Sequence, residues 1–389
     1  MAMKIVVNGA KKTIASRKSR PFVFINGEKK RLVKGLTFIN GVKKYLWGAE
    51  NRVDFFSFNY SQAYTTNSVE CLYIGDSRLV VSGKIFVPLT NGASTGGTGI
   101  NIIDIDNISS ANLVARYSWG DADIITQNNG TTLKWTSVYV RSTTSSYNNA
   151  INNISYTLGA SSAGADFVDT ITAVSTVSWG CRLANGGVLW YNNTAVGYNN
   201  TVVQTLTDSS LALNPCWSGG NEIVCTIGGA IYKLTQSGRT RIKTTNDTNT
   251  YIVNAMFDGN NFVCAGKRSG MVLSRIVKYD SSFNEVWGKY PPNDNRNNGR
   301  SLTLMGRGGS LYYVIDAPES TTASDQKVYL RTYNVDDGEL VESIDISNYK
   351  TVDGTTITAW KVKPTISDSY LGAVYTAGNK MYVMRVYVG

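Results

Sequence analysis

The 389-residue sequence contains no histidine. That absence removes the Ser-His and Cys-His nucleophile pairs, the imidazole general acid or base, and the imidazole ligands common at zinc and iron sites. Cysteine is scarce: Cys71, Cys181, Cys216, Cys225 and Cys264 are scattered, odd in number and never spaced C-x-x-C, which reads as buried apolar residues in a reducing compartment. Only seven prolines occur, so the turns fall to Asn, Gly, Asp and Ser. No apolar run approaches the roughly eighteen residues of a membrane span, and the opening MAMKIVVNGAKK lacks the apolar stretch of a signal peptide. The expectation is a soluble protein made in a cytoplasm.

Most of the chain also lacks charge of either sign in excess. Residues 1–50 hold twelve Lys and Arg against Glu28 and Glu50, a balance of +10 that equals the net charge of the whole chain. The other 339 residues carry 26 basic and 26 acidic side chains. The basic character therefore belongs to one short segment.

That segment repeats one pattern three times: Val7-Asn-Gly-Ala-Lys-Lys12, Ile25-Asn-Gly-Glu-Lys-Lys30 and Ile39-Asn-Gly-Val-Lys-Lys44. Asn-Gly is the strongest two-residue hairpin signal, because a type I′ turn needs positive φ at both central positions. Each turn follows an apolar, β-prone run and precedes a basic one, which predicts three hairpins. Hairpins this small bury too little apolar surface to stand alone. Phe22, Phe24, Phe38 and Trp47 must therefore pack against something else, and Lys11, Lys12, Lys29, Lys30, Arg31, Lys43 and Lys44 would meet an acidic partner. The plainer explanation is that lysines on edge strands prevent aggregation.

From Asn51 onward the chain reads as short strands rich in Val, Ile, Tyr, Trp and Thr between Gly, Asn, Asp and Ser turns, with no long amphipathic helix. A glycine turn feeding an apolar strand recurs at 75–83, 186–190, 219–225, 258–266, 308–313 and 378–383, and Ser137–Arg141 would supply a seventh member. The mean spacing from Leu79 to Met381 is near 50 residues. Trp-Gly at Trp119, Trp179 and Trp287 offers a second marker, each closing a strand-like stretch. Repeats of about 40 to 50 residues with four strands each are the signature of β-propeller blades. The expected fold is all-β: a propeller over residues 51–389, of seven blades with six as the alternative, preceded by a small basic β-hairpin anchor over residues 1–50. Stacked sandwiches or a β-solenoid compete with it. The strand Val53–Phe58 is expected to complete the last blade and close the ring.

Motifs that carry chemistry are few. Gly92–Gly99 is glycine-rich but has no following Lys-Ser/Thr and no helix, so it reads as a flexible inter-strand loop rather than a phosphate cradle. Carboxylates cluster at Asp104 and Asp106, at Asp121 and Asp123, and at Asp336, Asp337 and Glu339. None has calcium-loop spacing, and turns between strands explain them. A glycosidase would need two of them facing each other across the propeller mouth. No catalytic residue, cofactor or metal ligand is expected. Eight Trp and 23 Tyr are mostly blade core.

The tandem hairpins Ile25-Asn-Gly-Glu-Lys-Lys30 and Ile39-Asn-Gly-Val-Lys-Lys44 resemble the start of virion structural proteins of tailed bacteriophages that infect Gram-positive bacteria. The resemblance covers about fifty residues. It implies an N-terminal part attached to the particle and a β-rich domain facing outward, as in tail-fibre or receptor-binding proteins. Implied partners are other virion proteins, a host cell-wall glycan and further copies of the chain in a homo-oligomer; no membrane is expected, and nucleic acid enters only as an alternative. The implied location is the virion. The chain departs from the pattern in having no collagen-like, coiled-coil or β-helical shaft, which points to a compact knob or hub. Two other classes remain: a cell-wall polysaccharide hydrolase on the same scaffold, and a nucleic-acid-binding or host-side adhesin module.

Overall fold

The structure, a computed structural model, describes the backbone of the strands given below. It describes side chains for residues 53–58, 69–75, 78–81, 102–105, 151, 155 and 157 and, with short interruptions, for 170–388. Every regular element of four or more residues among these is a β-strand.

Six four-stranded antiparallel units follow one another along the chain, each ordered first to outer strand as the sequence runs, and the fifth and sixth are joined into one sheet where Lys267 pairs with Ser301. Blade 1 comprises Glu70–Ile74, Arg78–Pro88, Ser94–Asp104 and Asn112–Tyr117; blade 2 comprises Ile125–Asn128, Thr132–Thr143, Ser146–Thr157 and Gly164–Ile171. Blade 3 comprises Trp179–Arg182, Val188–Asn192, Ala195–Tyr198 and Thr201–Thr205; blade 4 comprises Leu213–Trp217, Ile223–Ile227, Ala230–Thr235 and Gly238–Thr244. Blade 5 comprises Tyr251–Asp258, Asn261–Lys267, Ile276–Tyr279 and Glu285–Lys289; blade 6 comprises Arg300–Gly308, Leu311–Pro318, Tyr329–Asn334 and Leu340–Asp345.

The seventh blade closes the ring. Tyr370–Ala377 pairs with Lys380–Tyr387, which pairs in turn with Val53–Asn59 from the other end of the chain, in a register running from Val53 opposite Val386 to Asn59 opposite Lys380. Its innermost position is taken by the stretch around Lys361, bridged to Val374, and by Thr365–Ile366, which runs parallel to the first strand of blade 6. Among the described residues the fold is a seven-bladed β-propeller, with the early strand completing the last blade as expected.

The core lies between blades. One apolar cluster joins blades 7, 1 and 6 through Phe58, Ile74, Leu79, Tyr313, Val374 and Met384. Others join blades 3 and 4 around Trp179 and Ile223, blades 4 and 5 around Val224 and Phe262, and blades 5 and 6 around Val263 and Tyr312. Among the described residues the inner strands are thus buried on both faces, which is why strands such as Val188–Asn192 and Ile276–Tyr279 are apolar or buried at every position rather than alternating. Asn254, buried on the first strand of blade 5, ties three blades together at the centre: its amide accepts from Leu304 N at 3.0 Å and donates to Leu304 O at 2.8 Å and to Val362 O at 3.3 Å.

The structure corrects three readings of the sequence. Ser94–Gly99 is no loop: it belongs to the third strand of blade 1 and pairs residue for residue with Gly83–Pro88. Glycines do not oppose a ladder when a long neighbouring strand supplies every backbone partner, and Thr95 and Thr98 favour it. The recurring glycine turn leads into the second strand in blades 1 and 3 to 6, whereas Ser137–Arg141 lies in the middle of the second strand of blade 2 and Gly378 precedes Lys380–Tyr387, the third strand of blade 7. Trp-Gly is not a repeat marker, since Trp179 opens the first strand of blade 3 while Trp287 lies in the outer strand of blade 5.

Candidate interaction surface

The turn Asn334–Glu339 joins the third and outer strands of blade 6 and carries three of the carboxylates singled out from the sequence. It is built by local hydrogen bonds: Asn334 N donates to Glu339 O at 2.9 Å and Gly338 N to Asn334 O at 3.0 Å. The Asn334 side chain accepts from Asp336 N and the Asp337 carboxylate from Glu339 N, both at 2.9 Å. Gly338 has φ +70°, and a Cβ there would meet the Trp287 indole at 2.6 Å. Only glycine gives both the left-handed backbone and the close seat.

Blade 5 holds this turn from beneath. The carbonyl of Val335 accepts from the buried ammonium of Lys278 at 2.9 Å and from the Trp287 indole N–H at 3.2 Å. Lys289 reaches the Glu339 carboxylate at 2.8 Å. Past the turn, the outer strand leaves Leu340 and Val341 exposed, Val341 at 56 %. Asp336, Asp337, Glu339 and Asp345 are exposed and Glu342 is half-buried. An apolar pair surrounded by carboxylates on a firmly seated strand edge is a surface suited to binding.

At the other end of blade 6 the strands are clamped internally. Asp316 is fully buried and accepts from Arg300 Nε and Arg331 Nε at 2.6 Å each. Arg300 also donates to the carbonyls of Asp316 and Lys327, Arg331 donates to Ser343 Oγ at 3.0 Å, and the Tyr329 ring lies against both guanidiniums. The carboxylate is saturated by hydrogen bonds to two cations, so its role is to fix the blade. Asp258 on blade 5 is held in the same way, accepting from Arg307 and from the Tyr312 hydroxyl of blade 6. Burial and that hydrogen bond push the Tyr312 hydroxyl well above the usual tyrosine range.

The other predicted features divide clearly. Asp104 pairs with Arg78 on its own blade, while Asp106, Asp121, Asp123 and Trp119 lie outside the described residues. All five cysteines are free and buried, and burial pushes the thiols of Cys71, Cys216 and Cys264 up to about 12. Trp179, Trp190, Tyr191, Tyr279, Tyr312, Tyr313, Tyr333 and Tyr382 are core, as the sequence suggests. Among the described residues, no group of three or more acidic or Cys side chains converges in a way that could hold a metal ion.

The predicted docking residues stand on three two-stranded sheets whose strand pairing is described. Met3–Val7 pairs with Ala10–Ala15, Phe22–Ile25 with Glu28–Arg31, and Gly35–Ile39 with Val42–Trp47. Val7 stands opposite Ala10, Ile25 opposite Glu28, and Ile39 opposite Val42, the registers that two-residue Asn-Gly turns require. Phe24 stands opposite Lys29, Phe22 opposite Arg31, and Phe38 opposite Lys43; Lys11, Lys12, Lys30, Lys44 and Trp47 share these strands. The side chains of all eleven lie outside the described residues.

No family model matches the chain, and no curated protein does. Solved structures similar to it include Sqt1 from Chaetomium thermophilum, at 10 % identity and TM-score 0.46 over 88 % of this chain and 100 % of that one. The β-propeller domain of Cps50 (Swd1) from Myceliophteria thermophila matches at 10 % identity and TM-score 0.45, covering 84 % and 98 %. The β-propeller domain of the Trilobed protease from Pyrococcus furiosus matches at 10 % and 0.43, covering 85 % and 96 %.

Proposed function

We propose that this chain is a non-enzymatic structural component of a tailed-bacteriophage particle, attached through its basic N-terminal hairpins and presenting its propeller outward to a host cell-wall glycan or to neighbouring proteins. The observation that carries this reading is the separation of charge. The whole net charge of +10 sits in residues 1–50, which hold three hairpins of common design, while the rest of the chain is neutral. Within the ring the best-buried carboxylates, Asp316 and Asp258, are committed to holding strands and blades together. The strand Val53–Asn59, which follows the hairpins directly, is sewn into the ring as the outer strand of blade 7. Only residues 48–52 separate it from the last hairpin strand, a tether of about 20 Å at full extension. A basic attachment segment on so short a tether would fix the ring close to whatever surface it binds. The resemblance of the Ile25–Lys30 and Ile39–Lys44 turns to virion proteins names that surface as a particle.

The test pairs the full chain with K29E/K30E/K43E/K44E in particle assembly and in sedimentation with host cells. Particle attachment should weaken markedly in the variant and, for the unaltered chain, as ionic strength rises. Equal sedimentation of both proteins with cells supports the propeller as the receptor reader. If the variant still enters particles at high salt, charge-driven attachment is wrong, and if cell-wall glycan is shortened on incubation the hydrolase reading replaces this one.

A further inference from the structure

We propose that the outer edge of blade 6, from Asp336 to Asp345, receives the basic hairpins of a second copy of this chain. The proposal rests on the reading of those hairpins as docking elements and names a surface for them.

The edge is unusual among the outer strands whose side chains are described. No Lys or Arg occurs from Thr332 to Tyr349, whereas Asp336, Asp337, Glu339, Glu342 and Asp345 fall within ten residues. Two lysines compensate in part, Lys289 toward Glu339 and Lys327 toward Asp345 at 3.9 Å, with Glu339 still 71 % exposed at its side chain. The outer strand of blade 4 is basic, with Arg239, Arg241 and Lys243; that of blade 3 is uncharged; that of blade 5 has Glu285 and Lys289 in balance; and Asp54 of blade 7 is held by Arg385. Blade 6 therefore joins excess negative charge to exposed Leu340 and Val341. Among the described residues its outer strand pairs only with Tyr329–Asn334, leaving one backbone edge open to a further strand.

The hairpins offer the complement. Each is a two-stranded sheet that needs a larger sheet or apolar surface for stability, and each sets apolar positions opposite basic ones: Phe24 with Lys29, Phe22 with Arg31, Phe38 with Lys43. A strand of this kind added to the edge would gain backbone hydrogen bonds, cover Leu340 and Val341, and bring cations to the carboxylates.

Topology sets donor and acceptor side by side. The first strands of blades 1, 6 and 7 run parallel, through Cys71 paired with Val362 and Gly306 with Thr365. Alternation outward then puts the starts of outer strands at the face where the first strands end. Val53, where the hairpins join the ring, and Leu340, where the acidic edge begins, lie at that face on neighbouring blades. The first two hairpins stand more than a dozen residues farther along the chain from the ring, far enough to cross to a neighbour. Two copies meeting at this rim would exchange arms about a two-fold axis, an isologous contact that closes on itself.

The experiment is sedimentation velocity of the full chain at about 0.05 and 0.5 M salt, up to about 0.1 mM protein, with D336K/V341K, with K29E/K30E/K43E/K44E, and with both sets combined. The unaltered chain should associate at low salt, each variant should weaken association by about tenfold or more, and the combined charge swap should restore it. The milder D337N/V341S, which keeps the turn's hydrogen bond to Glu339 N, should weaken it about threefold and serves if the lysine variant does not fold. A chain that stays monomeric throughout, or association indifferent to the edge variants, overturns the proposal. In either case loss of particle attachment in the hairpin variant would still stand for the attachment reading.

Discussion

Arg385, on the third strand of blade 7, binds Asp54, on its outer strand, through Nη2 at 2.8 Å and Nε at 3.1 Å, across a separation of 331 residues. The same guanidinium donates to Gly75 O of blade 1 at 3.1 Å and lies against the Phe56 and Tyr370 rings. One side chain thus joins the two ends of the ring and the next blade.

Arg385→Ala is expected to destabilise the ring by about 1–2 kcal/mol, because Asp54 is 45 % exposed and water replaces part of what is lost. The drop should appear as a lower urea midpoint. An equal midpoint would mean that the backbone ladder alone closes the ring.

Asp316→Asn should be far more damaging. It leaves the buried Arg300 and Arg331 without their shared anion, an expected loss of about 3–5 kcal/mol. Asp316→Asn combined with Arg300→Met and Arg331→Met should recover part of that loss in equilibrium unfolding, since removing the charges also removes their desolvation penalty.

Gly306→Ala should fail for two reasons. The residue has φ +139°, and a Cβ would collide with the carbonyl oxygen of Thr365, where blades 6 and 7 pair. A loss of at least about 2 kcal/mol is expected, read by thermal unfolding. Gly259→Ala, with φ +61° but no neighbour within 4 Å, is the control for backbone strain alone.

The thiols predict an alkaline limit. Burial raises Cys71, Cys216 and Cys264 from the ordinary value of 9.0 to about 12, so between these values the unfolded chain releases protons that the folded one keeps. Stability contributed by these groups is complete below pH 9 and should fall as pH rises toward 12. Tyr333, also pushed up by burial, adds to the fall at the upper end. A thiol reagent at pH 8 should label these cysteines only after unfolding; rapid native labelling would contradict their burial.

Much of the ring was legible in the sequence because blade strands are local objects. Asp258-Gly-Asn-Asn-Phe262 announces a turn and the strand after it, and Met271–Asp280 with Asn284–Gly288 announces the next two. Closure by Val53–Phe58 was legible as well, since the apolar strand pattern of Lys380–Tyr387 needs a partner on each side and Val53–Phe58 has the same pattern. The candidate surface was legible only in part. Asp336, Asp337 and Glu339 read as turn residues, which they are, and the missing signal was the long absence of Lys and Arg from 332 to 349.

The sequence by itself determined the strand pattern, the blade period, the hairpin registers and the concentration of charge in the first fifty residues, because turn chemistry and composition act over a few neighbours. Only the tertiary structure decided that Ser94–Gly99 is a strand, that Asn254 knits three blades, and that Leu340 and Val341 stay exposed among carboxylates. Those outcomes depend on which surfaces meet across fifty or three hundred residues. Burial and pairing at that range are set by the closed ring, and no local pattern encodes them.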